Sequence, residues 1–346
     1  MRAGWAAAIV LTVSTAQAAP KKQEAAPALP PPPLVLTVTP GAAGSPWRMK
    51  IDNPGELPIR IPADERLLAL EITGQDKKVV RCALPDDARP ATDEGRELVI
   101  PGKRSWSANV DPIFLCFGAK ERAALAAGAS VKAIFGWPSK AKNPAPPFAA
   151  TPVGAAIGVD APAKTIESAP FALAGAVPAL PGGSTAAGEG EGGKNALVLS
   201  MPDAEDVARG AEIGATVTAA NTSERAITLL FRSEVLEFRV TGPGGTITCG
   251  TPRSIDSPIR ELFTTIPAKG RTSMTPLITS MCPPDTFDEP GVYRVFVKID
   301  TTGASGREIG LRTWDGTAES TTPMLLRVRT ARRPQPPERA KLDGPS

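Results

Sequence analysis

The sequence predicts an all-β protein built as two tandem antiparallel β-sandwiches joined by a flexible linker, with one disulfide per domain. Three observations carry this prediction. Apolar and polar residues alternate with a period of two along many short stretches. Turn signals rich in Gly and Pro separate these stretches at short intervals. The second half of the chain repeats the first in motif order and spacing.

The alternation is plainest in the second half. Leu236, Phe238 and Val240 alternate with Glu237, Arg239 and Thr241. The turn Gly242-Pro243-Gly244-Gly245 then leads into Thr246-Ile247-Thr248-Cys249, which reads as a β-hairpin with one buried face. Tyr293, Val295, Val297 and Ile299 mark another strand, as do Ile227, Leu229 and Phe231, with Val217 and Ala219 before them. Leu34-Leu36-Val38, Leu68-Leu70-Ile72 and Val131-Ala133-Phe135 repeat the pattern in the first half. One stretch, Lys120 to Ala126, reads as a short helical turn between strands.

The repeat is a matter of register. Asn53 precedes Cys82 by 29 residues and Asn221 precedes Cys249 by 28. Cys82 to Cys116 is a step of 34 and Cys249 to Cys282 a step of 33. Residues 68–85 align with 236–252, 100–107 with 266–273, and 167–173 with 319–326. This reads as an internal duplication, with each copy long enough to hold its own core.

The expected organisation follows. Residues 1–18 read as a signal peptide: a basic start at Arg2, an apolar run from Ala3 to Val13, and an Ala16-Gln17-Ala18 cleavage site. Residues 19–33 form a Pro/Ala-rich spacer. The sandwiches occupy 34–173 and 195–329, separated by a Gly-rich linker over 174–194. A basic, Pro-rich tail covers 330–346. No later apolar run is long enough to span a bilayer, so the mature chain is expected to lack a transmembrane segment. The localisation expected is periplasmic or extracellular.

Composition excludes several chemistries. The chain of 346 residues has no histidine, which rules out Ser-His and Cys-His nucleophiles and any His-ligated metal. The net charge of +3 is too small to argue for nucleic acid as a partner. The four cysteines, Cys82, Cys116, Cys249 and Cys282, are even in number and none form a C-x-x-C pair. In an exported chain they read as structural disulfides, one per copy.

The order Asn221-Thr222-Ser223, the alternating strand to Phe231, the LEFRVTGPGG hairpin, the I-P-x-K turn and the late GVYRVFV strand (291–297) resembles bacterial immunoglobulin-like or fibronectin-type-III-like modules. It is also somewhat similar to the intracellular proteinase inhibitor type of that fold. The resemblance implies seven-stranded sandwiches acting as binding, adhesion or spacer domains. The chain departs from antibody domains in its short Cys spacing and in lacking a Trp midway, so each bridge is expected to tie a hairpin end to a neighbouring loop or strand.

Candidate sites are few. Gly188 to Asn195 nearly spells a phosphate-binding loop but lacks the Ser or Thr after Lys194. Ser139-Lys140-Ala141-Lys142 matches S-x-x-K but lies between Pro138 and Pro144, where no helix aligns the pair. Asp203, Glu205 and Asp206 read as a solvated acidic loop, with calcium as the sharper alternative; Asp86-Asp87 and Asp93-Glu94 read the same way. Trp47, Trp106 and Trp137 form the candidate binding surface, three rings in the first copy against Trp314 in the second. Arg327, Arg329, Arg332, Arg333, Arg339 and Lys341 read as a solvated basic tail. Asn221-Thr222-Ser223 matches a glycosylation triplet, but Asn53-Pro54 in the first copy does not, which favours a turn. No cofactor or metal is expected. The function expected is an exported, non-catalytic binding or structural protein whose partner is a protein or a cell-envelope polymer. The alternatives are an inhibitor of extracellular or periplasmic proteases, and a hydrolase with an unrecognised site.

Overall fold

Period-two burial resolves into paired strands. The computed structural model describes residues 34–41, 46–85, 88, 97–136, 151–152, 165–177, 196–210, 212–250, 259–302 and 306–330. The signal peptide, the spacer, most of the linker and the tail beyond Thr330 lie outside the described residues.

In the first half, strand Val35–Thr39 buries Leu36 and Val38 and pairs antiparallel with Trp47–Asn53, which pairs in turn with Arg104–Val110. A second sheet runs from Ile166–Glu167 through Ser130–Phe135 and Leu68–Thr73 to Val79–Cys82. A short third sheet joins Glu97–Ile100, Ile59–Pro62 and Thr151–Pro152. Helices Pro112–Leu115 and Ala119–Ala124 lie between the strands. The second of these is the helical turn expected from Lys120 onward.

The second half repeats this plan. Leu197–Ser200, Val217–Asn221 and Arg271–Met274 make one sheet; Gly291–Asp300, Leu236–Gly242 and Gly245–Cys249 make the next; Ile227–Leu230 pairs with Phe263–Ile266. Each half encloses its own apolar cluster, the first around Phe135, Met49 and Leu70, the second around Phe238, Leu229 and Val297. The predominantly β, sandwich-like architecture with two disulfides is as the alternation predicts.

Three details differ from expectation. Strand Ala204–Arg209 pairs parallel with Met324–Thr330, so the second half is not purely antiparallel. That strand contains Glu205 and Asp206, which therefore sit in a sheet and not in a solvated loop. The first half also runs past residue 173. The Val177 N–H donates to the Leu125 carbonyl at 3.0 Å, and its side chain packs on the core.

Both halves turn on the same buried amide. Asn53 is 1% exposed, and its Nδ2 donates to the carbonyls of Leu57, Ile100 and Pro101 at 2.8, 3.1 and 3.3 Å. Asn221 is 2% exposed and donates to Arg225, Ile266 and Pro267 at 2.7, 3.2 and 2.9 Å. Its Oδ1 also accepts from the Ser223 N–H, as the Asn53 Oδ1 does from Gly55. Each amide thus ties the end of a core strand to a strand of a different sheet. From the other side, Lys103 and Lys269 adopt the left-handed φ of 58° and 56°. Their Nζ atoms donate to the carbonyls of Pro54 and Thr222 at 2.7 and 2.8 Å. The lysine's reach offsets a backbone geometry that costs a non-glycine residue about 1 kcal/mol or more.

The disulfides fall at matched places. Cys82 ends strand Val79–Cys82 and bonds Cys116, the C-cap of helix Pro112–Leu115. Cys249 ends strand Gly245–Cys249 and bonds Cys282, the C-cap of helix Ile278–Met281. Each bridge ties a hairpin end, as the short spacing predicts, but its other end is the cap of a short helix and not a loop or strand.

Two predictions follow from these contacts. Asn53→Ala and Asn221→Ala leave buried carbonyls without a donor, so each is expected to cost roughly 2–3 kcal/mol, read as a fall in the urea midpoint; a change within error would contradict the linking role. The Cys82→Ala/Cys116→Ala double variant opens a 34-residue loop. Chain entropy sets its loss at up to about 3.8 kcal/mol. The Cys249→Ala/Cys282→Ala variant, with 33 residues, is expected to match it in the same unfolding experiment.

Candidate functional site

The tryptophans do not assemble into an exposed platform. Trp47 is 3% exposed and meets Phe171 edge-on, with ring centroids 5.9 Å apart. Alternation along Trp47–Asn53 points Trp47, Met49 and Ile51 to the same interior. This takes Trp47 out of the candidate binding surface, because its ring is part of the core. Trp106, opposite Ile51, is half-buried and lies edge-on to Phe135 at 5.9 Å. Trp137 lies outside the described residues. Trp314 is buried in the second core, with its backbone N–H donating to the Thr228 carbonyl at 2.7 Å.

The polar clusters read from the sequence take structural places. Asp206 receives Arg327 Nε at 3.0 Å and Nη2 beside it, and Arg329 Nε stands 3.2 Å from the same carboxylate. Arg327 is buried. Both arginines belong to strand Met324–Thr330, which corrects their assignment to a solvated tail. Burial pushes the neighbouring Glu205 carboxyl upward. Among the described residues no group of three or more His, Cys, Asp or Glu side chains is arranged to hold a metal ion. Asp86-Asp87, Asp93-Glu94, Ser139–Lys142 and the Gly188 to Asn195 loop lie outside the described residues. Asn221 cannot serve as a glycan acceptor in the folded chain, since its amide is buried and already donating.

What remains is the rim of the sheets; helix Ala119–Ala124 lies against strand Val79–Cys82, so the exposed part of that edge is its Val79 end. Among the described residues, Val79–Cys82 and Gly245–Cys249 each end their sheet, with no strand on the outer side. Val79 and its counterpart Thr246 are exposed. On the first strand of each half, the matched residues Val35 and Val198 face outward and are 50% and 40% exposed. An edge strand offers unpaired N–H and C=O groups in a fixed row, which is a template for another extended segment. Lys78, paired with Asp76 at 3.2 Å, and Arg81, paired with Glu71 at 3.0 Å, place charge along the first edge. The turn N–H of Lys78, with its ammonium, holds the Asp76 carboxyl below its usual range.

Alternation and turn signals mark the hairpins, but not which strands are outermost. That depends on pairings between residues tens of positions apart, for which a single sequence carries no local mark.

No family model and no curated protein matches the sequence. Among solved structures, red sea bream transglutaminase is similar over 84% of this chain and 31% of its own length, at 10% identity and a TM-score of 0.20. So loose a superposition carries no argument about fold family or chemistry. Among the described residues, no helix is long and apolar enough to cross a membrane.

The one tyrosine of the chain offers a clean probe of the second core. Tyr293 is buried against Phe287, centroids 5.1 Å apart, and its hydroxyl donates to the Glu289 carbonyl at 2.7 Å. Burial, with Glu289 and Asp288 nearby, pushes its phenol up to about 12. The folded state therefore favours the neutral phenol. This contribution is complete below pH 10 or so and is lost as pH rises toward 12. Absorbance titration should place the native midpoint near 12 and the urea-unfolded midpoint near 10. Coincident midpoints would mean that Tyr293 is not shielded.

Proposed function

We propose that this chain is an exported, non-catalytic binding or structural protein. In this reading it consists of two immunoglobulin-like copies produced by internal duplication. Its open sheet edges take an extended segment of a protein or cell-envelope polymer. The matched open edge in each half, Val79–Cys82 and Gly245–Cys249, is the observation that supports this most. Strand addition draws affinity from main-chain hydrogen bonds and specificity from alternate side chains. Two such edges on one chain suit a repeated target, because the second contact is made at high effective concentration. The export reading rests on the apolar N-terminal run and on two disulfides, which persist in oxidising compartments.

The test is cross-linking in the native cell envelope followed by pull-down of the full mature chain. Val79→Asp and Thr246→Asp place a charge on each edge without touching a core. The expected outcome is a specific partner captured by the unaltered chain and depleted at least tenfold by the double variant, whose circular dichroism stays unchanged. Equal capture by both, or no partner at saturating cross-linker, would sink the edge reading.

A further inference from the structure

The residues that break the repeat are the ones that meet across it. Aligning Cys116 with Cys282 sets Phe114 opposite Ser280, Phe117 opposite Pro283, and Asp111 opposite Leu277. The helical corner of the first half thus carries two aromatic rings and a capping carboxylate that its counterpart lacks. The second half has its own departure. Among the described residues, strand Ala204–Arg209, which supplies Asp206, has no equivalent in the first half.

These departures converge on one guanidinium. Arg327 is 6% exposed, and an arginine does not shed its charge to ease burial. Asp206 holds two of its nitrogens. Nη1 crosses to the other half and donates to the Phe114 carbonyl at 3.1 Å, at the end of helix Pro112–Leu115 where carbonyls lack helical partners. The guanidinium also lies 4.7 Å from the centroid of Phe117, itself 6% exposed. Arg122 of the first half stands over the same ring at 5.8 Å and donates to the Phe117 carbonyl. Nearby, Asp111 caps the helix, its Oδ1 accepting from the Ile113 N–H at 2.8 Å. Burial raises its carboxyl, while the Ile113 N–H and then Arg294 from strand Gly291–Asp300 pull the other way.

We propose that the two halves are docked as one rigid body, locked where Arg327 of the second half seats on the Phe114–Phe117 corner of the first. The Cys82–Cys116 bridge sets the shape of that corner, since Cys116 caps its helix and Phe117 follows directly. The joint replaces the freely hinged pair that a Gly-rich linker implies. It does not depend on a binding partner, so it stands or falls separately from the edge reading above.

The test is small-angle scattering and backbone NMR relaxation on the full chain. The unaltered chain is expected to show one tumbling time for both halves. Arg327→Ala and, from the opposite side, Phe117→Leu are expected to separate the tumbling times and raise the radius of gyration. Arg239→Ala is the control. Arg239 pairs with Glu319 at 2.7 Å and lies 4.3 Å over Phe296, the same chemistry inside one half, so its loss should leave tumbling unchanged. If Arg327→Ala unfolds the second half, Phe117→Leu decides. Independent tumbling of the halves in the unaltered chain, or unchanged tumbling and radius in folded Phe117→Leu, overturns the proposal.

Discussion

A primary amide buried at the end of a core strand governs each half of this protein. Asn53 and Asn221 give their Nδ2 hydrogens to carbonyls of the following turn and of a separate sheet. Buried carbonyls left without donors are expensive, so the strand end, the turn and the neighbouring sheet are held in a single arrangement. The left-handed lysines close the same knot from outside, each bonding the carbonyl directly after its asparagine. The disulfides pin the hairpin ends of the other sheet in each half.

Much of this was legible in the residues. Leu236, Phe238 and Val240 face inward as alternation requires, and the Pro243-Gly244 turn pairs Gly242 with Gly245. The sequence also marked Asn53 and Asn221 as equivalent, though it assigned them to turns. Asn favours turns through its short polar side chain, and nothing local separates that use from a buried amide reaching 45 residues away. Trp47 sits at a strand start beside Pro46, where a surface ring and a core ring look alike; Phe171, which covers it, comes far later. In the sequence alone, Arg327 and Arg329 read as part of the basic stretch that follows them. Their alternation with Leu326 and Val328 was the available sign of a strand, but the partner Asp206 lies 121 residues upstream. Charge pairs over such distances leave no trace in a single sequence.

The two halves are alike inside and differ at the corner where they meet. Their cores, amide junctions and disulfide corners match, down to Ser168 and Ser320. Each of these hydroxyls accepts a buried N–H from the central strand, Ala133 in one half and Val297 in the other. The side chains on their helical corners do not match. The first corner bears Phe114, Phe117 and Asp111, and the second bears Ser280, Pro283 and an exposed Leu277.

The buried amide of Asn221 has a practical consequence for producing the protein. Asn221-Thr222-Ser223 is a glycan acceptor in an unfolded chain. A secretory host that attaches sugar during translocation meets this triplet before the second half folds. A sugar on that nitrogen would replace one of the two hydrogens shared among the carbonyls of Arg225, Ile266 and Pro267 and force a large polar group into a closed interior. The first half, with Pro54 after Asn53, carries no such hazard. The choice of expression host therefore bears on one half of the molecule and spares the other.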